Sequence, residues 1–237
     1  MEAARSTYRA VYDYVEDEIL SGRLKSGDQL PAERDFSHQL GVSRSAVREG
    51  IRALQFLGVL TSSVGQSGGT RVSSLQSDAL TRLLRMHVAL ADFPVDDVTE
   101  LRVALERSTA TMAATTASPE RLAQLSALLA SMEEEGDSRE RFNELDTQFH
   151  VCIAGASHNT LLTDLTVAVR ESLRGPIMDA EREMEGWAEF RAALHHQHQA
   201  IFNAIEVQDP KGAAEQMEHH IRFAYTHLSA YLAKRSH

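Results

Sequence analysis

The chain has 237 residues, 43% of them hydrophobic and 24% charged, with a formal net charge of −10. This composition excludes general disorder, and the length is comfortable for two domains, each with its own core. No apolar run reaches the roughly 18 residues a membrane helix needs, the opening MEAARSTYRA lacks an apolar signal core, and the single cysteine, Cys152, cannot form an internal disulfide, all of which agree with a reducing, cytoplasmic setting without a membrane partner.

In chain order, the first informative stretch is PAERDFSHQLGVSRSAVREGIRALQFL. It reads as two helices joined at Gly41. Pro31 suits a first helical turn, Phe36 and Leu40 give the short helix one apolar side, and Gly41 can adopt the left-handed conformation that ends it. Ser43 then caps a second helix whose buried stripe is Val47, Ile51, Leu54 and Leu57. The run VLTSSVGQSGGTRV that follows reads as a two-stranded wing turning through Gly65, Gly68 and Gly69. This is the layout of a winged helix-turn-helix, and its partner is double-stranded DNA. Ser43, Arg44, Ser45 and Arg48 crowd the N-terminal half of the second helix, the end that enters a major groove. Arginine can meet guanine O6 and N7 with two parallel bonds, while serine hydroxyls and helix N-terminal amides hold phosphates. Arg34 on the preceding helix is placed for the groove edge. The acidic net charge does not oppose this reading. Residues 1–75 hold nine basic and nine acidic side chains, so the whole −10 lies beyond them, where it discourages non-specific contact of that half with DNA.

A polar stretch, residues 73–78, separates a DNA-binding domain over 1–75 from a second domain over 79–237. Only helical signals follow it. The predicted helices begin around Leu80–His87, then run over Val98–Thr116, from Pro119, and over Glu140–Ala154, Thr160–Leu173, Ala188–Glu206 and Pro210–Ala233. Gly136, Gly155, Gly175 with Pro176, and Asp209 with Pro210 mark the breaks. The expected fold class is mainly α: an N-terminal winged helix-turn-helix with a small β-wing, then an all-helical bundle.

Within that bundle, Asp146 and His150 lie four apart on one helix and flank the stripe Phe142, Leu145, Phe149, Ile153. His198 shares a face with Leu194, Ile201 and Ile205, and His220 shares one with Met217, Ala224 and Leu228. Three histidines and an aspartate thus point toward one core. A buried carboxylate needs an opposite charge, which a divalent metal supplies; one oxygen and three imidazole nitrogens suit zinc, nickel or manganese, with room for a ligand. A core histidine or a local Asp–His ion pair would produce the same spacing, and His195 or His196 could replace His198.

Three segments, L-K-S-G-D-Q-L-P-A-E-R, G-V-S-R-S-A-V-R-E and G-V-L-T-S-S-V-G, occur in this order and resemble the DNA-binding domain of the GntR family of bacterial regulators from about Tyr8 to Val72. The resemblance implies operator contacts by Arg34, Arg44 and Arg48, and a minor-groove contact by Gly65, in a wing about two residues longer than usual. D-x-x-F-H at Asp146–His150, H-x-x-I-x-x-A-I at His198–Ile205 and A-x-x-x-M-x-x-H at Ala213–His220 are similar to the FCD ligand-binding domain of the FadR subfamily. This second resemblance implies a metal on Asp146, His150, His198 and His220, with a small carboxylate effector completing the site. Gln197 stands where the family often has Glu, a position expected only to orient the site. Arg102 matches an arginine often directed into the effector cavity, although its spacing from Glu106 also fits a surface ion pair; Arg170, Arg174 and Arg222 rank below it. Metal-containing regulators of lactate use and sugar-acid catabolism look most similar, so the expected effector is a hydroxy acid such as L-lactate. A homodimer on a pseudo-palindromic operator resembling TGGT–spacer–ACCA is also implied, with repression relieved by the effector. No enzymatic activity is expected: a metallo-hydrolase would call for H-E-x-x-H or a separate acid beside a metal-bound water. A metal-sensing regulator keeps every residue and drops the acid; a helical scaffold leaves Arg34, Arg44 and Arg48 unexplained.

Overall fold

The computed structural model describes residues 2–63, 68–73, 77–90, 93–134 and 138–232. The chain divides into two compact units, Met1–Ala79 and Leu80–His237. The first contains α1 (Glu2–Leu20), α2 (Glu33–Leu40), α3 (Arg44–Phe56), β1 (Leu60–Ser63) and β2 (Gly69–Val72). The two strands pair antiparallel, from Leu60↔Val72 to Ser63↔Gly69. Val11, Val15, Leu30, Phe36, Val47, Ile51, Leu54, Leu60 and Val72 form the core. Complete burial of Phe36 stabilises the unit by about 2–3 kcal/mol relative to leaving it exposed.

The helix-turn-helix is built by local chemistry. Gly41 ends α2 with φ 65° and ψ 28°, and its N–H bonds back to the carbonyl of His38, the left-handed stop that glycine adopts without a Cβ clash. Ser43 caps α3, its Oγ accepting from the Ala46 amide at 3.2 Å. Leu57 is the C-cap of α3 and half-buried, so the buried stripe inside the helix stops at Leu54. Pro31 departs from expectation as well: α2 begins at Glu33, with Ala32 at the cap. The reason lies in the preceding residue. The Leu30 amide donates to the Thr70 carbonyl at 2.8 Å, which commits this stretch to the wing's edge before the helix can start.

Seven helices follow among the described residues: α4 (Ser77–Leu90), whose first turn belongs to the N-terminal unit, then α5 (Val95–Thr116), α6 (Pro119–Glu134), α7 (Arg139–Ala156), α8 (Thr160–Glu183), α9 (Trp187–Glu206) and α10 (Pro210–Leu232). The main packing partners are α10 with α5 and α9, and α7 with α8, α6 and α5. One sequence expectation fails here. Gly175 and Pro176 do not break a helix, because α8 runs through them to Glu183. An interior proline costs about 3 kcal/mol, and the turns beyond it offset that by burying Ile177 and Ala180 in the core. None of the described helices is long and apolar enough to cross a membrane.

Gly50 sets the closeness of α1 to α3: a Cβ there would lie 2.7 Å from the Val11 Cβ and 3.1 Å from the Tyr8 carbonyl oxygen. Gly50→Ala should therefore push α1 away and destabilise the N-terminal unit by about 1–3 kcal/mol. Denaturant unfolding followed in that unit checks this; an unchanged midpoint would show that α1 yields without cost.

Candidate metal centre and nucleic-acid interface

On the N-terminal unit, Arg34, Ser43, Arg44, Ser45 and Arg48 are all exposed. Ser43 is engaged as the α3 cap, and its Oγ lies 2.8 Å from that of Ser45. Arg48 reaches back to Glu33, with Nη2 3.1 Å from Oε2. Gly65, the predicted wing contact, lies outside the described residues.

In the helical unit, α7 supplies Asp146 and His150, α9 supplies His198 and α10 supplies His220, and one ligand atom from each lies within 4.8 Å of all the others. His150, His198 and His220 are buried, with Asp146 at their edge. The nearest approaches are His198 Nε2 to Asp146 Oδ1 at 3.0 Å and His150 Nε2 to His220 Nε2 at 3.2 Å. The Asp146 Oδ1 atom is also 3.6 Å from His150 Nε2 and 4.0 Å from His220 Nε2.

The groups behind the rings define the chemistry of the two facing nitrogens. His220 Nδ1 lies 3.1 Å from Gln197 Oε1, an acceptor that places the ring proton on Nδ1. His150 Nδ1 is in contact with Glu106 Oε2, although neither atom has a partner in hydrogen-bond geometry; a proton on Nδ1 is the tautomer that suits this neighbour. Both Nε2 atoms are then left with lone pairs pointing at each other. In these tautomers neither Nε2 donates, and a cation between them suits the 3.2 Å approach better than a shared proton. Zinc bonds of 2.0–2.1 Å in a tetrahedron set neighbouring donors about 3.3 Å apart, a value the observed separations bracket. The donor set fits a divalent metal, and Glu106 and Gln197 are the outer partners that fix tautomer and ring orientation at such sites.

Electrostatics keep the cage ready for a cation. Burial would raise the Asp146 carboxyl, but the Arg170 guanidinium and the adjacent His198 and His150 rings outweigh it and hold it well below the usual range. Burial pushes His198 down to about 4 against the opposing pull of Asp146. His220 is also driven well below its ordinary value, by burial and then by His198 and His150. His198 and His220 are thus neutral near pH 7, the protonation state a metal ligand needs.

Glu106 and Arg170 are the residues sequence reasoning underrated. Arg102 and Glu106 are not a surface pair: Arg102 Nε donates to Glu106 Oε1 at 2.6 Å with both side chains almost fully buried. Burial opposes ionisation of Glu106, yet Arg102, His150 and Arg170 together hold it well below the usual carboxylate range. Arg170 donates to Asp146 Oδ2. The guanidinium of Arg102 sits 5.4 Å from the Tyr225 ring centre, and Arg102 Nη2, Arg170 Nε, Asn143 Oδ1 and Tyr225 Oη are buried without hydrogen-bond partners. Arg222 is instead on the surface, paired with Glu100 and Glu218. Arg174 is exposed on the wall of a cleft of about 1020 Å³ that Asn143 and Tyr225 also line. His195 and His196 stand outside the four-residue cluster.

A winged helix-turn-helix unit followed by an all-helical unit is the organisation of a transcription regulator. The chain belongs to the gntR family of bacterial regulatory proteins, matched over residues 7–72, and carries an FCD domain, matched over residues 97–223. It is 32% identical over 228 residues to the "Putative L-lactate dehydrogenase operon regulatory protein" of Escherichia coli (strain K12), covering 93% of this chain and 86% of that one. It is 26% identical over 223 residues to the "Glc operon transcriptional activator" of the same strain, covering 92% and 87%. Among solved structures, Streptococcus agalactiae GntR superposes with a TM-score of 0.63 at 25% identity, covering 92% of this chain and 99% of that one.

Beside the cluster, burial and then the charge of Asp146 raise the Glu181 carboxyl to about 8, from an ordinary value of 4.5. The folded state therefore holds this proton where the unfolded chain has lost it. The resulting stability is fully present below about pH 4.5 and is lost as pH rises through about 8. Glu181→Gln, which keeps the shape and the contact with Asn143, should flatten that decline, so that the variant melts several degrees above the parent at pH 8 but not at pH 5. Parallel melting profiles across this range would contradict a buried, protonated Glu181.

Proposed function

We propose that this GntR-type regulator is a repressor whose operator affinity is set by a small hydroxy carboxylate bound at a divalent metal on Asp146, His150, His198 and His220. The facing Nε2 atoms of His150 and His220, both left as acceptors by their outer partners, carry this reading. Zinc is the first candidate and nickel or manganese the others. When bound, the metal supplies a Lewis-acidic anchor for a carboxylate or an α-hydroxyl oxygen. The remaining work falls to the protein. Arg102, with Nη2 buried and without a hydrogen-bond partner, supplies a guanidinium for the effector carboxylate. Glu106 holds both Arg102 and His150, so the effector-binding cation and a metal ligand share one support. Arg170 keeps Asp146 ionised and oriented.

The effector class follows from the buried guanidinium of Arg102 near the donor set and from the name of the lactate-operon relative; L-lactate is the first acid to try. Residues 1–75 act as the DNA-binding domain and 79–237 as the effector-binding and dimerisation domain, in a cytoplasmic homodimer that places two α3 helices on a pseudo-palindromic operator. Arg34, Arg44 and Arg48, with Ser43, Ser45 and Gly65, make the DNA contacts. An effector that binds the two arrangements of the dimer unequally shifts their populations and releases the DNA. A regulator answering to the metal alone is the competing reading.

The test is fluorescence anisotropy with a TGGT–spacer–ACCA duplex at one fixed salt concentration. L-lactate and related hydroxy acids should weaken binding by about tenfold or more, within the usual range of allosteric coupling. Removing the metal, or the change His150→Ala, should abolish that response. Operator binding that no acid alters but metal loading does would assign the chain to the metal-sensing class instead.

A further inference from the structure

The exposed arginines of the helix-turn-helix differ in how firmly they are held. Among the described residues no ion pair holds Arg34 or Arg44, whereas Arg48 is tied across the helix-turn-helix to Glu33. The bond is made in a particular way. Both Nε and Nη2 of Arg48 donate to the single oxygen Oε2 of Glu33, at 3.3 and 3.1 Å. Arg48 lies in the second turn of α3 and Glu33 is the first residue of α2. Both side chains stay about half exposed, at 55% and 43%.

A guanidinium has two edges that can make paired bonds: the side edge, Nε with one Nη, and the end edge, the two Nη atoms. Glu33 occupies the side edge of Arg48. The end edge, with Nη1 uncommitted, is the one left to face a base. Guanine presents O6 and N7 together in the major groove, and an arginine meets them with two parallel N–H donors. A long flexible side chain makes that contact at an entropic cost, which falls when it is already held in the required orientation. The carboxylate also cancels part of the Arg48 charge, which weakens any pull toward phosphates in general.

We infer that Glu33 is a positioning residue for operator recognition: it braces Arg48 along its side edge so that its end edge reads a guanine, and it adds base discrimination without touching DNA. This inference rests on the reading of Arg48 as a DNA contact.

The experiment compares full-length parent, Glu33→Ala, Glu33→Gln and Arg48→Ala. Each is titrated by anisotropy against three duplexes at fixed salt: TGGT–spacer–ACCA, the same duplex with each half-site G·C pair replaced by A·T, and a scrambled sequence. Thermal melts confirm that every variant is folded. Glu33→Ala should lower the ratio of operator affinity to G·C-replaced affinity by about tenfold, while binding to the scrambled duplex stays level or rises. Glu33→Gln, which keeps an acceptor without the charge, should fall between Glu33→Ala and the parent. A Glu33→Ala variant that weakens all three duplexes equally, or leaves the ratio unchanged, overturns the brace. An Arg48→Ala variant that binds the operator like the parent overturns the underlying DNA contact as well, so the two failures are told apart.

Discussion

The helical unit is organised around two imidazole nitrogens, Nε2 of His150 and Nε2 of His220, that face each other at 3.2 Å, and the outer partners of both rings favour the tautomers that leave no proton between them. Such a pair is repulsive in a buried site, and the low dielectric around it makes the repulsion larger than it would be in water. A divalent cation turns the same arrangement into an attraction. The surrounding chemistry is consistent with that demand from every side. Gln197 and Glu106 fix the two ring tautomers, Asp146 supplies a negative oxygen, and Arg170 keeps that oxygen ionised. Because α5, α7, α8, α9 and α10 each contribute at least one of these groups, an ion bound as proposed would be held or supported by five helices at once. A sensor needs that breadth if a small ligand is to bias the whole bundle.

The DNA-facing unit works under a different constraint. It has no net charge in its own sequence, so attraction to the phosphate backbone must come from a few arginines in the right place. The fold places them by short-range means: Gly41 stops α2, Ser43 starts α3, and Gly50 lets α1 approach closely. The chain beyond residue 75 carries the whole negative excess, a charge that disfavours non-specific contact of that half with DNA.

Much of this was legible in the sequence. The turn glycine, the capping serine, the buried stripe of α3 and the faces carrying His150, His198 and His220 are local patterns set by helical periodicity, and periodicity survives without tertiary information. The misreadings concern what only packing decides. Arg102 and Glu106 have the spacing of a solvated ion pair, and nothing in α5 warned otherwise, because that helix buries Ala110, Ala113, Ala114 and Thr109 rather than a row of leucines. Spacing along one helix does not reveal that a histidine of another will need the carboxylate. Gly175–Pro176 looked like a break because local propensity says so; the core contacts of Ile177 and Ala180 overrule it. Pro31 was assigned to the helix because the bond from Leu30 to Thr70 spans forty residues of sequence.

The most direct measurement is diffraction from crystals of the purified chain at wavelengths on either side of the zinc, nickel and manganese absorption edges. The account predicts one anomalous peak per chain, about 2.0–2.2 Å from Asp146 and from the Nε2 atoms of His150, His198 and His220, with Glu106 and Gln197 still behind the rings. Well-ordered side chains in this arrangement with no metal peak, in protein never exposed to a chelator, would contradict it.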